Sequence, residues 1–347
     1  MSLAAPPHQY IDRRNNRVVT EQPIADRAIN FLYHRLRENS PAMFRALTSA
    51  RISQLLGFWQ YDLPGRGGGG LGLFSRCGAD WRECLEPPES YNTPRKFFER
   101  QIRYWEIRPM DNRLEAVVSP ADSRVLIGSF TAASTLFIKG HLFDLHELLG
   151  SNGRWPTHFA DGDFAVFRLT PDKYHYNHLP VSGRVVTTYT LDGRYHSCNP
   201  TAQIALASIY SRNRRVVTII NTDVPGGSAV GMVAMVEIVA LMIGDIVQCY
   251  SEKAYSEPRQ IQPGMFVEKG APKSLFRPGS STDVVIFQPG KITFAEDLVS
   301  NSQRQDVQSR FSQGFGRPLV ETDVLVRSTI AQRQYLRLHP WRGKHHE

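Results

Sequence analysis

The chain has 347 residues, of which 41% are hydrophobic and 21% are charged, a balance typical of a globular protein with a substantial core. Its formal net charge of +8 favours anionic partners, such as anionic lipid or nucleic acid. Four cysteines without a CxxC pair argue against a zinc ribbon and a dense disulfide framework, and fit a reducing compartment. The first residues lack an apolar core followed by a small-residue cleavage site, so no secretory signal is predicted.

The N-terminal part is predicted to be helical after a polar start. No regular structure is predicted for residues 1–17. Over residues 23–60, apolar side chains recur at helical spacing and arginines lie between them. Such basic amphipathic helices either cap the core or lie on an anionic bilayer surface, and the sequence leaves both open. The glycine-rich run at 65–72 lacks the Lys-Ser or Lys-Thr pair of a phosphate-binding loop and is predicted to be a flexible loop.

The remainder of the chain is predicted to be rich in β-strands. Short apolar runs separated by turn residues indicate a mostly antiparallel sheet, and they lie at 116–118, 123–127, 164–169, 185–189 and 216–220. Only residues 142–149 and 202–211 look helical. The apolar run 232–247 is shorter than the span of about 20 residues that a membrane helix needs, so one or two buried strands are predicted. The predicted fold is α+β, with a helical region over 1–96 followed by a mostly antiparallel, β-rich catalytic body over 97–347.

Two patches in this body carry candidate catalytic side chains. Asp122 stands between small residues, where it is either a turn former or a carboxylate that orients a histidine. His175 and His178 lie between Pro171 and Pro180, which favours a loop. Two histidines without a third ligand make a weak metal site, so no metal is predicted. A general acid and base, or a structural pair, both remain open for the histidines.

A third patch is the run Gly279-Ser280-Ser281-Thr282, which precedes an apolar segment that ends at Phe287. A hydroxyl group at the mouth of a buried strand can attack the backbone carbonyl just before it. Runs of Gly, Ser and Thr are also common in ordinary turns, so this run alone decides nothing.

Together the motifs resemble the phosphatidylserine decarboxylase family. They occur in the family's order and at similar spacing: Phe97-Phe98-Glu99-Arg100, Arg108-Pro109-Met110-Asp111, Pro120-Ala121-Asp122, Lys139-Gly140, Tyr174-His175-Tyr176-Asn177-His178, Lys269-Gly270 and Gly279-Ser280-Ser281-Thr282. The resemblance extends almost end to end, from Tyr10-Ile11-Asp12-Arg13 to Glu321-Thr322-Asp323-Val324.

The resemblance implies a proenzyme that cleaves itself to make a covalent pyruvoyl cofactor. Ser281 Oγ attacks the carbonyl of Ser280, and the resulting ester then eliminates and hydrolyses to leave a pyruvoyl group on Thr282. The products are the fragments 1–280 and 281–347, which stay associated. The family match also implies His178 as the base, Asp122 as the carboxylate that orients it, and His175 as the acid that reprotonates the α-carbon of the substrate.

The two adjacent serines require a choice of nucleophile. Counting from Lys269-Gly270 and from Phe287 places the family's Ser-Thr pair at Ser281-Thr282 in both cases. Ser280 therefore stands where the family usually has glycine. A side chain at this position restricts the backbone before the scissile bond, so slower maturation follows as a hypothesis.

The implied function is decarboxylation of phosphatidylserine to phosphatidylethanolamine and CO2 through a Schiff base to the pyruvoyl group. The positive charge and the basic helices predict a peripheral protein on an anionic membrane, at the cytoplasmic face of a bacterial inner membrane. A homodimer is left open. The alternatives are a pyruvoyl decarboxylase of a soluble amino acid such as tryptophan, and a non-enzymatic homologue that binds anionic lipid. Nucleic-acid binding has only the net charge in its favour.

Overall fold

The computed structural model of the protein describes residues 6–21, 32, 36–49, 70–131, 144–150, 153–206, 208–241, 245–278 and 281–335. The predictions that concern Gly279, Ser280 and the Lys139-Gly140 motif lie outside these residues, as do those for most of the basic helices and most of the glycine-rich run.

The strands form one large and two small sheets. Their bounds are β1 His8–Asp12, β2 Arg17–Glu21, β3 Ala116–Val118, β4 Ser123–Ser129, β5 Asp163–Leu169, β6 Tyr176–His178, β7 Gly183–Leu191, β8 Arg215–Asn221, β9 Met232–Ile238, β10 Ile246–Gln248, β11 Phe266–Val267, β12 Pro272–Phe276, β13 Ser281–Phe287, β14 Ile292–Phe294, β15 Thr322–Val324 and β16 Thr329–Arg333. The large sheet has the order β11-β7-β8-β9-β13-β5-β4-β15-β1-β2, and the small sheets have the orders β10-β12-β6 and β14-β16-β3.

The large sheet is antiparallel throughout except where β1 runs parallel to β15. Short helices surround it: Arg37–Asn39, Pro41–Leu47, Leu71–Cys77, Pro94–Phe98, Tyr104–Ile107, Leu145–Leu149, Trp155–Phe159, Pro200–Ala205, Ile209–Arg212, Glu296–Ser302 and Arg310–Phe315, with 3-10 turns at Trp81–Glu83 and Pro88–Ser90. The predicted α+β class with a β-rich, mostly antiparallel body is confirmed.

Strand β13 lies in the middle of the large sheet, between β9 and β5. All seven of its residues are buried. Val284 and Ile286 pack into one hydrophobic core, and Val285 and Phe287 pack into a second core on the opposite face. Because side chains alternate between the faces of a strand, a strand buried on both faces requires an unbroken apolar run. This explains why the segment after Ser281 is so hydrophobic.

The structure corrects three details of the sequence-based prediction. Residues 8–21, of which 8–17 were predicted to lack regular structure, form the hairpin of β1 and β2 at the edge of the large sheet. The two histidines lie in and beside a strand rather than in a loop, because β6 pairs with β12 and the bracketing prolines fall outside its ends. The helix Leu71–Cys77 begins within the glycine-rich run. Within the described part of the chain, no helix is both long and apolar enough to cross a bilayer.

Candidate functional site

Ser281 is the first residue of β13 and lies opposite Leu169 of β5. It is fully buried, and its Oγ atom has no hydrogen-bond partner among the described residues. The next residue, Thr282, is also fully buried, with the Cys198 thiol and the Tyr210 hydroxyl beside it. Buried hydroxyl groups usually find a partner, since leaving one unpaired costs about 1–3 kcal/mol. An unpaired hydroxyl at a strand end therefore indicates a functional rather than a stabilising role.

His178 lies at the end of β6 with both ring nitrogens engaged. Nδ1 is 2.8 Å from the carbonyl oxygen of Gly270, and Nε2 is 2.9 Å from the hydroxyl oxygen of Tyr174. Because a carbonyl oxygen only accepts, Nδ1 carries the proton and Nε2 accepts one from Tyr174. Burial is the main reason that the pKa of His178 is lowered to about 3; the positive charge of Arg327 acts in the same direction, and the Gly270 hydrogen bond and the charge of Asp122 act against it. The imidazole is therefore a neutral acceptor at physiological pH.

The position of Gly270 explains the glycine of the Lys269-Gly270 motif. Its backbone has a positive φ of 76°, and a Cβ atom at this position collides with the Met110 sulfur atom. Glycine is the residue that adopts this conformation at little steric cost. The turn it makes aims the carbonyl oxygen of residue 270 at His178.

Tyr174 connects His178 to a second tyrosine. The hydroxyl oxygens of Tyr174 and Tyr255 lie 2.7 Å apart, and the Tyr255 hydroxyl oxygen also lies 2.9 Å from the carbonyl oxygen of Ile102, so the single Tyr255 proton has two possible acceptors. The ring of Tyr104 packs edge-on against His178, with their centroids 4.7 Å apart. Burial raises the pKa of Tyr174 well above its ordinary value, and the neighbouring Tyr255 raises it further. Both tyrosines therefore keep their protons and form a neutral hydrogen-bonded chain that ends on His178.

His175 lies just before β6 and is also fully buried. Nδ1 is 2.9 Å from the carbonyl oxygen of Lys173, whereas Nε2 has no partner among the described residues. Its ring packs edge-on against Phe98, with the centroids 3.5 Å apart. Burial holds the pKa of His175 well below its ordinary value, and the charge of Arg100 lowers it further. The ring is therefore held in one tautomer, with one nitrogen available for chemistry.

Asp122 is buried in an ion pair with Arg108. Nε and Nη2 of Arg108 donate to the two carboxylate oxygens at 3.1 and 2.8 Å, and the backbone N–H of Val326 donates at 2.8 Å. Burial acts to raise the pKa of Asp122, but the charge and hydrogen bonds of Arg108 outweigh burial and hold that pKa below its ordinary value. The carboxylate is therefore charged, and its charge in turn raises the pKa of His178.

The site residues converge through β6 and β12. His178 pairs with Pro272 in the β6–β12 ladder, and its backbone N–H donates to the carbonyl of Pro120, two residues before Asp122. His175 accepts a backbone hydrogen bond from Phe276, at the end of β12. Ser281 comes five residues after Phe276, and its hydroxyl makes no hydrogen bond to His175, His178 or Asp122 among the described residues. Asp122 makes no direct hydrogen bond to His178 in the described structure; the contact to Nδ1 that was expected from Asp122 comes from Gly270 instead.

The sequence is similar to those of known proteins. The family model for phosphatidylserine decarboxylase matches residues 95–317. This chain belongs to the phosphatidylserine decarboxylase family. The matched region contains Asp122, both histidines and Ser281.

Curated relatives carry the name phosphatidylserine decarboxylase proenzyme. One from Fusobacterium nucleatum is 27% identical over 310 residues, which cover 88% of this chain and 95% of the relative. One from Chlamydia muridarum is 32% identical over 237 residues, covering 68% of this chain and 73% of the relative. One from Bordetella petrii is 31% identical over 232 residues, covering 64% and 78%. The resemblance read from the motifs is confirmed.

Several residues of the site were not predicted as such. Arg108, Tyr174 and Gly270 belong to family motifs, yet their contacts to Asp122 and His178 required the fold. Tyr255 lies in no such motif and reaches the site from a loop far along the chain. The sequence offered one signal, the closeness of Asp122 to the motif that contains Arg108. If both are buried they are expected to pair, since an unpaired buried charge is costly.

A second buried charged cluster has the geometry of a metal site. Ligand atoms of His8, Glu21 and Glu321 lie within 4.8 Å of one another. However, the guanidinium group of Arg168 contacts both carboxylates, and Arg124 pairs with Glu21. The charge of Arg168 overcomes burial and holds the pKa of Glu321 at about 2. These ion pairs satisfy the cluster without a cation, and they join the β1–β2 hairpin to β5 and to the residue before β15.

Proposed function

We propose that the chain is a proenzyme that cleaves itself between Ser280 and Ser281 and, in its mature form, decarboxylates phosphatidylserine. The observation that carries this proposal is the buried, unpartnered Ser281 hydroxyl at the start of β13, in a chain of this family. The family relatives named as proenzymes support the processing, and their name supports the substrate.

His178 is the base of the cleavage step. A serine hydroxyl is a poor nucleophile until a base takes its proton. His178 meets the need because it is neutral and because the Gly270 carbonyl fixes the proton on Nδ1, which makes Nε2 the accepting atom. Nε2 accepts from Tyr174 in this structure, so the Tyr174 hydrogen bond gives way when Nε2 takes the Ser281 proton. Asp122 stabilises the imidazolium that forms, by its charge rather than by direct contact. Arg108 keeps that charge in place.

The residues around position 281 fit a pyruvoyl group. The side chain of residue 281 is fully buried, makes no hydrogen bond to any described residue, and lies opposite the apolar Leu169. A pyruvoyl group formed there supplies a ketone that accepts the electrons left when CO2 departs. Exclusion of water by β5, β9 and β13 strengthens every electrostatic contact at this position.

His175 holds the proton for the α-carbon of the substrate. Its Nε2 atom is unpartnered and its ring is neutral in this structure. It must therefore gain a proton before it can donate one. The carboxylate of a bound serine headgroup favours the charged form of a nearby imidazole, so the binding of substrate prepares His175 to act as an acid.

The substrate is tested by offering one protein three kinds of amine. Purified protein is incubated with vesicles that contain phosphatidylserine, with free serine and with free tryptophan, and the released CO2 is measured. The Ser281→Ala variant is the control that cannot form the ketone. CO2 from phosphatidylserine alone supports the proposal, CO2 from a free amino acid supports the soluble-substrate alternative, and no CO2 from any of them contradicts both.

The two fragments stay associated because strands of the small fragment pair with strands of the large fragment in one sheet. β13 lies between β9 and β5, and β15 lies between β4 and β1, all four of which precede the cleavage point. We expect a tag on the C-terminus to retain the 1–280 fragment during washing without denaturant. Loss of that fragment at neutral pH, before any guanidinium chloride is added, contradicts this association.

Docking to a membrane is supported by exposed aromatic residues on two adjacent segments. Trp81 and Leu85 lie on one segment and Trp105 on another, the two segments are joined by the bridge between Cys84 and Ile102, and all three side chains are exposed. Tryptophan is favoured at the boundary between lipid and water. We expect the protein to float with anionic vesicles and the double variant Trp81→Ser, Trp105→Ser to float less. Equal flotation of both proteins contradicts a role for this surface.

A further inference from the structure

A second group of ionisable side chains lies next to residue 281 and has no part in the chemistry described so far. It consists of Glu237 on β9, Lys273 on β12 and Asp283 on β13, and all three are fully buried. Asp283 lies directly opposite Glu237 in the large sheet. Lys273 approaches from the small sheet, with Nζ 2.5 Å from Glu237 Oε2.

Glu237 has a complete set of partners. Besides Lys273, its carboxylate accepts from Gln248 at 3.1 Å, from Asn177 at 3.4 Å and from the Ser274 hydroxyl. These donors come from all three strands of the small sheet, β10, β6 and β12. The pair of Glu237 and Lys273 is therefore a closed, hydrogen-bonded ion pair that needs no further group.

Asp283 has no such partners. Neither of its carboxyl oxygens makes a hydrogen bond to any described residue, although the side chain is fully buried. One lysine faces two carboxyl groups, and it is already paired with Glu237. The residues that lie opposite Asp283 in the sheet are Glu237 on β9 and the apolar Phe167 on β5, and neither supplies a positive charge. Charge balance therefore leaves Asp283 protonated.

The same conclusion follows from its electrostatic environment. Burial raises the pKa of Asp283 well above its ordinary value, and the negative charge of Glu237 raises it further, while Lys273 acts in the opposite direction. A neutral carboxylic acid offers one O–H donor and one carbonyl acceptor. Asp283 thus holds both a donor and an acceptor without using either.

Its position on β13 points these groups towards residue 281. Side chains two apart on a strand project from the same face, and their Cα atoms are separated by about 7 Å. Ser281 and Asp283 have this relation, and Ser281 Oγ and both Asp283 oxygens are buried without a hydrogen-bond partner among the described residues. A reacting polar group bound among these atoms gives them the partners that they lack.

We propose that Asp283, in its protonated form, moves protons between the amino group of the substrate and the oxygen atom carried by residue 281. The proposal rests on the proposed function, because it requires a ketone at residue 281. Asp283 acts on condensation of the amine, before CO2 is lost, and is distinct from His178 and His175. Glu237 is a positioning residue whose negative charge keeps Asp283 neutral, and Lys273 is the ion-pair partner that holds Glu237 in place.

The condensation step is balanced in protons and needs no further reagent. The nitrogen of the headgroup forms a bond to the carbon of residue 281, and the oxygen on that carbon leaves as water. The ammonium group brings three protons, of which two depart with the oxygen and one stays on nitrogen with the positive charge. Two proton transfers take place. In each, one carboxyl oxygen of Asp283 gives its proton to the oxygen on residue 281, and the other carboxyl oxygen takes a proton from the substrate nitrogen. Asp283 is therefore protonated at the end, as it was at the start.

The test measures condensation separately from CO2 release. Wild type and Asp283→Asn are matured, and intact mass confirms that both small fragments start with the pyruvoyl group. Each is then mixed with phosphatidylserine in detergent micelles and cyanoborohydride, and the rate at which the small fragment gains the mass of the reduced adduct is recorded. Asp163→Asn is the matched control, since Asp163 is a partly buried carboxyl with a raised pKa opposite Phe287, at the far end of the same ladder.

General acid–base groups contribute about 100-fold or more, so we expect Asp283→Asn to be trapped on the order of 100-fold more slowly than wild type, and Asp163→Asn to match wild type. Trapping of the mature Asp283→Asn protein at the wild-type rate overturns the proposal. So does an uncleaved Asp283→Asn chain with the thermal stability of wild type, because it assigns Asp283 to maturation. If wild type itself is neither cleaved nor trapped, the proposed function fails, and this proposal fails with it.

A second variant tests the proposal even if the Asp283→Asn protein does not fold. Glu237→Gln keeps the Asp283 carboxyl but removes the charge that holds its proton, and it leaves Lys273 free to pair with an ionised Asp283. We expect trapping by this variant to fall off at a lower pH than in wild type. An unchanged rate and an unchanged pH profile overturn the proposal, because a purely structural Asp283 does not titrate with condensation.

Discussion

The Tyr174 hydroxyl oxygen lies 2.9 Å from Nε2 of His178, and the hydrogen bond fixes this nitrogen as the acceptor of a neutral ring. Gly270 accepts from the other nitrogen, so the tautomer is set from both sides. A histidine held in this way is prepared to take a proton at a single atom. It is the feature of the site that most directly favours a role as base.

Replacing His178 by alanine is expected to leave the chain uncleaved or to slow its cleavage by about 100-fold or more, because Ser281 then lacks a base. Gel electrophoresis of samples taken during synthesis measures the cleaved fraction. His196→Ala is the control, since His196 is also buried with a pKa lowered to about 4 by burial but stacks on Phe44 and belongs to none of the family motifs. Normal cleavage in His178→Ala removes that residue from its role.

His175→Gln is expected to separate maturation from turnover. The residue contacts Lys173 and Phe98 rather than His178, so the variant should cleave to completion. It should release CO2 at least about 100-fold more slowly, because the acid that protonates the α-carbon is missing. Intact mass and CO2 release are measured on the same sample. A variant that cleaves and decarboxylates like wild type rejects the assignment.

The stability of the unprocessed chain should depend on pH through His178. The folded pKa of about 3 lies below the ordinary 6.5, so in acid the unfolded chain binds a proton that the folded chain does not. The contribution is therefore complete above pH 6.5 and is lost as pH falls towards 3, by up to about 1.4 kcal/mol per pH unit. Urea unfolding of Ser281→Ala is compared with the double variant Ser281→Ala, His178→Gln, whose pH dependence should be flatter. Exposed His158→Gln in the same background is the control, and equal slopes for all three contradict a neutral buried His178.

Asp122→Asn should destabilise the fold as well as slow cleavage. The change leaves the buried Arg108 guanidinium without one of its two carboxylate partners, and removal of one partner of a buried ion pair costs about 3–5 kcal/mol. Asp111→Asn breaks the exposed pair with Arg113 and should cost far less stability, because solvent screens such a pair. Both are measured by urea unfolding in the Ser281→Ala background. Equal losses of stability in the two variants are incompatible with the buried pair described here.

The β-rich body was predictable because its strands form short apolar runs separated by turn residues. The predicted runs coincide with β3, β4, β5, β7 and β8, and the run 232–247 divides into β9 and β10. The hairpin of β1 and β2 was not predicted because its sequence is polar. Its place in the sheet depends on buried ion pairs that His8 and Glu21 make with residues far along the chain. Periodicity carries no information about such distant partners.

The candidate site was predictable only in its residue types. The motifs supply Asp122, His175, His178 and Ser281 through their resemblance to a family. They do not show that Gly270 rather than Asp122 contacts His178, or that Tyr255 joins the site. Asp283 escaped for a different reason: an acid within an apolar run looks like an interruption until the fold places it opposite Glu237. The contacts of buried polar groups are properties of the tertiary structure.

Self-cleavage before Ser281 is the central claim. Intact-mass analysis of freshly purified protein tests this cleavage most directly. The predicted result is two masses, one for residues 1–280 and one for residues 281–347 with residue 281 converted to pyruvoyl, together with a single uncleaved mass for Ser281→Ala. A single full-length mass for the wild-type protein, or cleavage at any other bond, contradicts the account.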